Sequence, residues 1–181
     1  DIADRNGTII LVGNPTSNPR IAVSGIQWPD VSDQGIVIDS NSAGDRFTVG
    51  GGSPAATLWA VYELGHQLGV QYLLRGDLDP IQKRSFSLSG VAVKTHEPKI
   101  RQRGFETIGS GPFSLESWGL ADQRRLIRQL AKLKFNHLIV KVEPWHPFVS
   151  YEFNGVSRST ATLFQGIQYP LTGGVVGKKA F

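Results

Sequence analysis

Apolar residues come along this chain in short runs broken by glycine, proline and asparagine, with two longer stretches at helical spacing. Thr8 to Val12 (Thr-Ile-Ile-Leu-Val) is such a run, closed by Gly13-Asn14-Pro15, and predicts a buried strand followed by a turn. Pro15 to Pro29 is rich in Pro, Ser, Asn and Gly, and predicts loop with one irregular turn near Ile21. Gly35 to Asp39 and Arg46 to Val49 predict a second and a third strand, the latter stopped by Gly50-Gly51-Gly52. Ser53 then stands where a helix cap is wanted and Pro54 suits the first turn. Leu58, Val61, Tyr62, Leu64 and Leu68 recur at helical spacing, Trp59 widens the stripe, and Gly69 supplies the left-handed stop. Val70 to Leu74 predicts a strand entered directly from that helix, Gly76 to Pro80 a turn, and the alternating Ser85 to Val93 a half-exposed strand.

At Lys94 to Lys99 the apolar pattern gives way to Lys, His, Glu and Pro, and a domain boundary is expected there. Beyond it, Arg101 to Thr107 predicts a strand, Gly109 to Pro112 a loop, and Ser117 to Lys134 a helix. That helix has apolar positions Leu120, Leu126, Ile127, Leu130, Ala131 and Leu133, and an outer face of Asp122, Arg124, Arg125, Arg128, Lys132 and Lys134. Asn136 ends it, and His137 to Val142 predicts the next strand. Strand, helix, strand with short connections reads as one parallel unit. Such a unit does not bury both strand faces alone and calls for further strands.

Composition narrows the function classes. With 181 residues, 40% apolar and 19% charged, the chain can bury a core, which excludes general disorder. No run of 18 apolar residues is present, so no membrane-spanning helix is expected. The absence of Cys removes disulfides, a thiol nucleophile and Cys-type zinc sites. A net charge of +4 fits a nucleic-acid binder and an ordinary basic enzyme equally. The chain begins at Asp1, lacks Met and lacks a basic-then-apolar leader; it ends on Gly173-Gly174-Val175-Val176-Gly177-Lys178-Lys179-Ala180-Phe181. It reads as a trimmed or processed chain whose parent continues further.

Four groups of residues carry candidate chemistry. Glu63 and His66 lie three apart on the first helix, as metal ligands do, but a zinc protease needs His-Glu-x-x-His, and Tyr62 stands where the first His belongs. The basic helix face lacks interleaved aromatics and any nucleic-acid reader motif, so a solvated outer face is the expectation. Gly50-Gly51-Gly52 before a helix has neither the Walker spacing nor Gly-x-Gly-x-x-Gly, and a tight strand-to-helix connection accounts for it. The fourth group has more content. Arg103 and Glu106 are expected near the C-terminal end of the first strand of the parallel unit, with Glu143, Trp145 and His146 just past the end of the second. That rim is where parallel sheets bind ligands. An indole face for C–H groups, with Glu, His and Arg for hydroxyls, is the chemistry of a sugar subsite. Glu106 and Glu143, on adjacent strands, form a conceivable carboxylate pair for glycoside chemistry; substrate positioning or ion pairing with Arg103 is the plainer role.

Leu11-Val12-Gly13-Asn14-Pro15, Gly50-Gly51-Gly52, Ala56 to Leu64 and Leu68-Gly69-Val70 together resemble the small domain that precedes the catalytic barrel in family 20 hexosaminidases, alpha-glucuronidases and related glycoside hydrolases. The resemblance covers roughly residues 8 to 94. It implies a two-layer α+β accessory domain, a sheet with helices on one face, zincin-like but without zinc. From Arg101 the chain is similar to the start of the (β/α)8 barrel that follows in those enzymes. Arg103-Gly104 resembles the Arg-Gly of their first barrel strand, where the Arg binds hydroxyls of the sugar being cleaved. The family continues with an Asp and an Arg-His pair, whereas this chain reads Phe105-Glu106-Thr107-Ile108-Gly109-Ser110.

The resulting expectation is an α+β chain: residues 1–94 form the accessory domain, and residues 95–181 an incomplete barrel beginning, β-α-β. The parent reaction is hydrolysis of O-glycosidic bonds through an oxocarbenium-like transition state. The family's catalytic carboxylates lie on a later strand that this chain does not reach, so the chain alone is expected to be inactive. The expected partner is a carbohydrate; no metal, cofactor or nucleic acid is expected, and an extracellular or periplasmic location follows from the resemblance only. The rival reading is a non-catalytic carbohydrate- or protein-binding module. A weaker one is nucleic-acid binding by the basic helix, with a steep salt dependence.

Overall fold

Gly13, Gly50 and Asn14 explain how the first sheet closes. A computed structural model describes residues 7–80, 87–107, 118–140 and 150–159. In it β1 (Ile9–Val12) runs parallel to β3 (Arg46–Gly51), and β2 (Ile36–Ser40) pairs antiparallel with β3 on its other side. The outer neighbour of β2 is β6 (Lys94–His96), also antiparallel, giving the order β1-β3-β2-β6. Gly50 and Gly51 are part of β3 and do not terminate it. A side chain at Gly50 would run into the Gly13 carbonyl, and one at Gly52 into the Ser32 carbonyl. Asn14 ties the two segments by donating from Nδ2 to the Gly51 carbonyl at 3.1 Å. Glycine is required here because three stretches of backbone meet.

Register sets the two faces. Ile36 and Ile38 on β2, with Phe47 and Val49 on β3, form one side. α2 (Pro54–Gln67) buries Ala56, Trp59, Ala60 and Leu64 against them. Each large member contributes about 1.5–3 kcal/mol of apolar burial. Leu11, Val37 and Thr48 are buried on the opposite side. As expected from the sequence, Ser53 caps α2, accepting from Ala56 N–H at 3.1 Å, and Pro54 opens it. Gly69 ends it at φ +100, with Gly69 N–H donating to the His66 carbonyl and Val70 N–H to the Gly65 carbonyl, a Schellman stop. The turn foreseen near Ile21 is a short helix, α1 (Pro19–Ala22), capped by Asn18.

Two expected elements differ. Gly76 to Pro80 is not simply a turn: β5 (Gly76–Leu78) pairs antiparallel with β4 (Gln71–Leu73), and the reversal falls at Leu74-Arg75. Of the strand expected at Ser85 to Val93, the described part, residues 87–93, is irregular. Gly90 at φ +90 breaks the extended run, and Leu88 enters the core as a loop anchor. The strand that pairs with β2 comes later, at Lys94, where polar residues hide it.

The chain divides into two compact units, residues 1–101 and 102–181. The segment expected to separate domains belongs to the first. Lys94–His96 is that unit's edge strand, and Glu97 accepts from Ser32 N–H and Ser32 Oγ, both at 2.7 Å. In the second unit, β7 (Gly104–Glu106) and β8 (His137–Ile139) are parallel neighbours with α3 (Leu120–Lys132) between them in the chain. α3 is shorter than expected at both ends: Gly119, not Ser117, is its N-cap, and Lys134 already sits at φ +64. β9 (Ser150–Phe153) and β10 (Val156–Ser159) form an antiparallel hairpin. Helices and sheets of both pairings make the chain α+β.

Candidate functional site

The parallel pair is built around Arg103 and Asn136. α3 ends in a Schellman motif: Lys134 N–H donates to the Ala131 carbonyl at 3.0 Å and Phe135 N–H to the Leu130 carbonyl at 2.9 Å. The Lys134 carbonyl then accepts from Arg103 Nε at 2.7 Å. A guanidinium at a helix C-terminus is favoured by the macrodipole and satisfies a carbonyl the helix leaves over. Asn136 Oδ1 accepts from Arg103 N–H at 2.8 Å, while Asn136 N–H and His137 N–H both donate to the Arg103 carbonyl. Phe105 and Phe135 meet edge to face, with centroids 6.0 Å apart. The end of α3 is therefore stitched to the start of β7, which places β8 in register. Partial burial pushes the Arg103 guanidinium pKa down.

This geometry separates the candidate residues. Arg103 precedes β7, at its N-terminal end; Glu106 closes the strand at its C-terminal end and is exposed. They were expected together at the C-terminal rim. The strand is three residues long, where Arg101 to Thr107 was expected, so they lie at opposite ends of it. No ion pair joins them: among the described residues, ion pairs link Lys94 to Glu63 and Arg101 to Asp33. Thr107, unremarked in the sequence, is the buried polar residue at the rim; its N–H donates to the Ile139 carbonyl at 3.0 Å. Glu143, Trp145 and His146 lie outside the described residues. They follow β8 in the chain by a few residues.

The other candidates have structural partners. Glu63 is buried on α2 and its Oε1 takes the Lys94 ammonium at 2.8 Å, a bond that holds the edge strand to the helix. His66 Nδ1 lies 3.1 Å from the Val70 carbonyl. Among the described residues no three His, Asp or Glu are grouped to hold a metal ion. Arg124, Arg125 and Arg128 are exposed along α3, opposite the buried Leu126 and Leu130. Gly65 faces the Tyr72 hydroxyl, and Tyr72 meets Tyr62 edge to face at 5.5 Å. Burial, and secondarily Asp77 and Tyr62, raise the Tyr72 pKa. Among the described residues no helix is long and apolar enough to cross a membrane.

One feature was missed although its signal was present. Asn154-Gly155, at φ 52 and 74, makes the tight turn between β9 and β10. Asn-Gly between extended runs is the strongest local hairpin cue. The Glu63–Lys94 pair had no local cue, because its partners are far apart in sequence. Comparison of the chain with known protein families, with curated proteins and with solved structures finds no match.

Proposed function

We propose that this chain is the N-terminal part of a glycoside hydrolase, its second unit opening a (β/α)8 barrel and its first unit an accessory domain. The observation that carries this reading is the parallel register of Gly104, Phe105 and Glu106 with His137, Leu138 and Ile139 across an intervening helix. A second observation supports it. Ile139 on β8 is 43% exposed, and parallel strands ordinarily have both faces covered. Further strand–helix units, closing the sheet on itself, would cover it.

On this reading Glu106 and the segment carrying Glu143, Trp145 and His146 belong to the sugar-facing rim. Trp145 stacks on C–H faces, and the carboxylates and imidazole bond hydroxyls. Arg103, at the other end of β7, holds the helix end against the strand and takes no part in this rim. Acid/base chemistry on the glycosidic bond belongs to carboxylates of a later strand.

The test is a calorimetric titration of the 181-residue chain with amino sugars, uronic acids and neutral oligosaccharides, alongside an assay with chromogenic glycosides. Saturable binding that weakens at least tenfold in Trp145→Ala and Glu106→Gln, without turnover, is expected. Absence of binding, or binding indifferent to both substitutions, overturns the reading, and so does reproducible release of chromogen. The alternative is a non-catalytic binding module, favoured by one observation: the Arg103 guanidinium is engaged by the Lys134 carbonyl in a structural role. Tight association with a partner chain, without sugar binding, is its signature.

A further inference from the structure

The first unit has a polar cleft on the face of its sheet opposite α2. Register places Asp39 opposite Thr48, and Arg46 two residues further along β3 on the same side. With Ser24 and Gln27 from the loop after α1, these residues line a cleft of about 310 Å³. That lies at the lower end of the roughly 300–1,000 Å³ typical of small-ligand sites, and equals about ten waters at ~30 Å³ each. Thr48 is 4% exposed, while Gln27 is exposed at the mouth.

The charges in this cleft are not spent on each other. Asp39 and Arg46 are diagonal neighbours, within reach of a long side chain. Yet Arg46 Nη1 turns to the Ser24 carbonyl at 3.4 Å, and the described ion pairs lie elsewhere. Among the described residues, the half-buried Asp39 carboxylate has no hydrogen-bond partner. That carboxylate is open to the cleft and available to a donor entering it. The wall beside it is tied by its own hydrogen bonds. Asn41 donates from Nδ2 to Asp45 at 2.7 Å, and its Oδ1 accepts from Arg46 N–H at 3.1 Å, so the β2–β3 turn is internally satisfied.

The cleft thus offers one anionic acceptor, one cationic donor and several neutral polar groups, balanced in charge. A ligand that fits carries no net charge and presents donors and acceptors side by side. Adjacent hydroxyls on a sugar ring do this: one donates to Asp39 while its neighbour accepts from Arg46, and the Gln27 amide and Thr48 hydroxyl take further hydroxyls. A zwitterion also balances the charges but leaves the neutral groups idle. We propose that this cleft is a binding site for a neutral monosaccharide, independent of the rim on the second unit.

The test is an NMR titration of the full chain with glucose, xylose, glucuronate and serine. Glucose or xylose is expected to bind saturably with a Kd of about 1 mM, moving backbone amides of residues 24–27 and 39–48. Asp39→Asn, nearly isosteric, and Gln27→Ala, at an exposed position, are each expected to weaken that binding at least tenfold without changing the melting midpoint. Glu106→Gln and Trp145→Ala are expected to leave it unchanged, which separates this site from the barrel rim. The proposal is overturned if neither neutral sugar saturates, if glucuronate or serine binds more tightly, or if the affinity survives both Asp39→Asn and Gln27→Ala.

Discussion

Gly50 shows what a single residue does in this chain. Its run of three glycines reads in the sequence as a strand stop beside a helix start, and the tight connection is real. The reason for it was not legible, because it lies in Gly13 and Ser32, distant residues whose carbonyls occupy the space a side chain would need. Alanine normally improves a strand glycine by about 0.5–1 kcal/mol. At Gly50 the sign reverses. Gly50→Ala is expected to lower the urea midpoint by an amount equivalent to at least about 2 kcal/mol, as overpacking against immovable backbone does. Gly7→Ala, where nothing lies within 4 Å, serves as the control. Equal midpoints for the two variants would discard the close-approach account.

At the scale of elements, the α2 boundaries were legible because capping is local: Ser53, Pro54 and Gly69 do their work within a few residues of themselves. The β4–β5 hairpin was half-legible, since the sequence marked its first strand and took the second for a turn. Its packing was not legible, because nothing near Tyr72 announces that its ring meets Tyr62 and its hydroxyl meets Gly65. That contact carries a pH consequence. The folded Tyr72 pKa is raised, chiefly by burial, so the fold prefers the neutral phenol. Stability from this contact is fully present below the ordinary tyrosine pKa of about 10, and is lost as pH rises through the higher folded value. Thermal melts between pH 9 and 11, in roughly half-unit steps, are expected to show a steeper alkaline loss in the parent chain than in Tyr72→Phe. Parallel curves would remove Tyr72 from the account. The candidate rim follows the same rule: the parallel strands were legible from their apolar runs, but the strand ends were not. Arg103 moved to the opposite end from Glu106 because Asn136 and Lys134, more than thirty residues away, decide where pairing begins.

At the scale of the whole chain, the division into two units places Lys94–His96 and Glu97 with the first. Composition alone put a boundary at those residues, since an edge strand with one buried neighbour on one side is allowed to be polar. Residues 1–101 expressed alone are therefore expected to fold, with a cooperative melt and dispersed amide resonances, whereas residues 1–93 lack the fourth strand and are expected to melt lower or not cooperatively. Identical melts for the two lengths would show that β6 is dispensable. The order of the sheet has a bearing on biosynthesis. Its outermost strand, and the carboxylate that pins the 31–35 loop, leave the ribosome after everything they fasten. A nascent chain up to residue 93 thus carries α2 and three of this sheet's four strands with one flank of β2 bare, and only the next few codons close it.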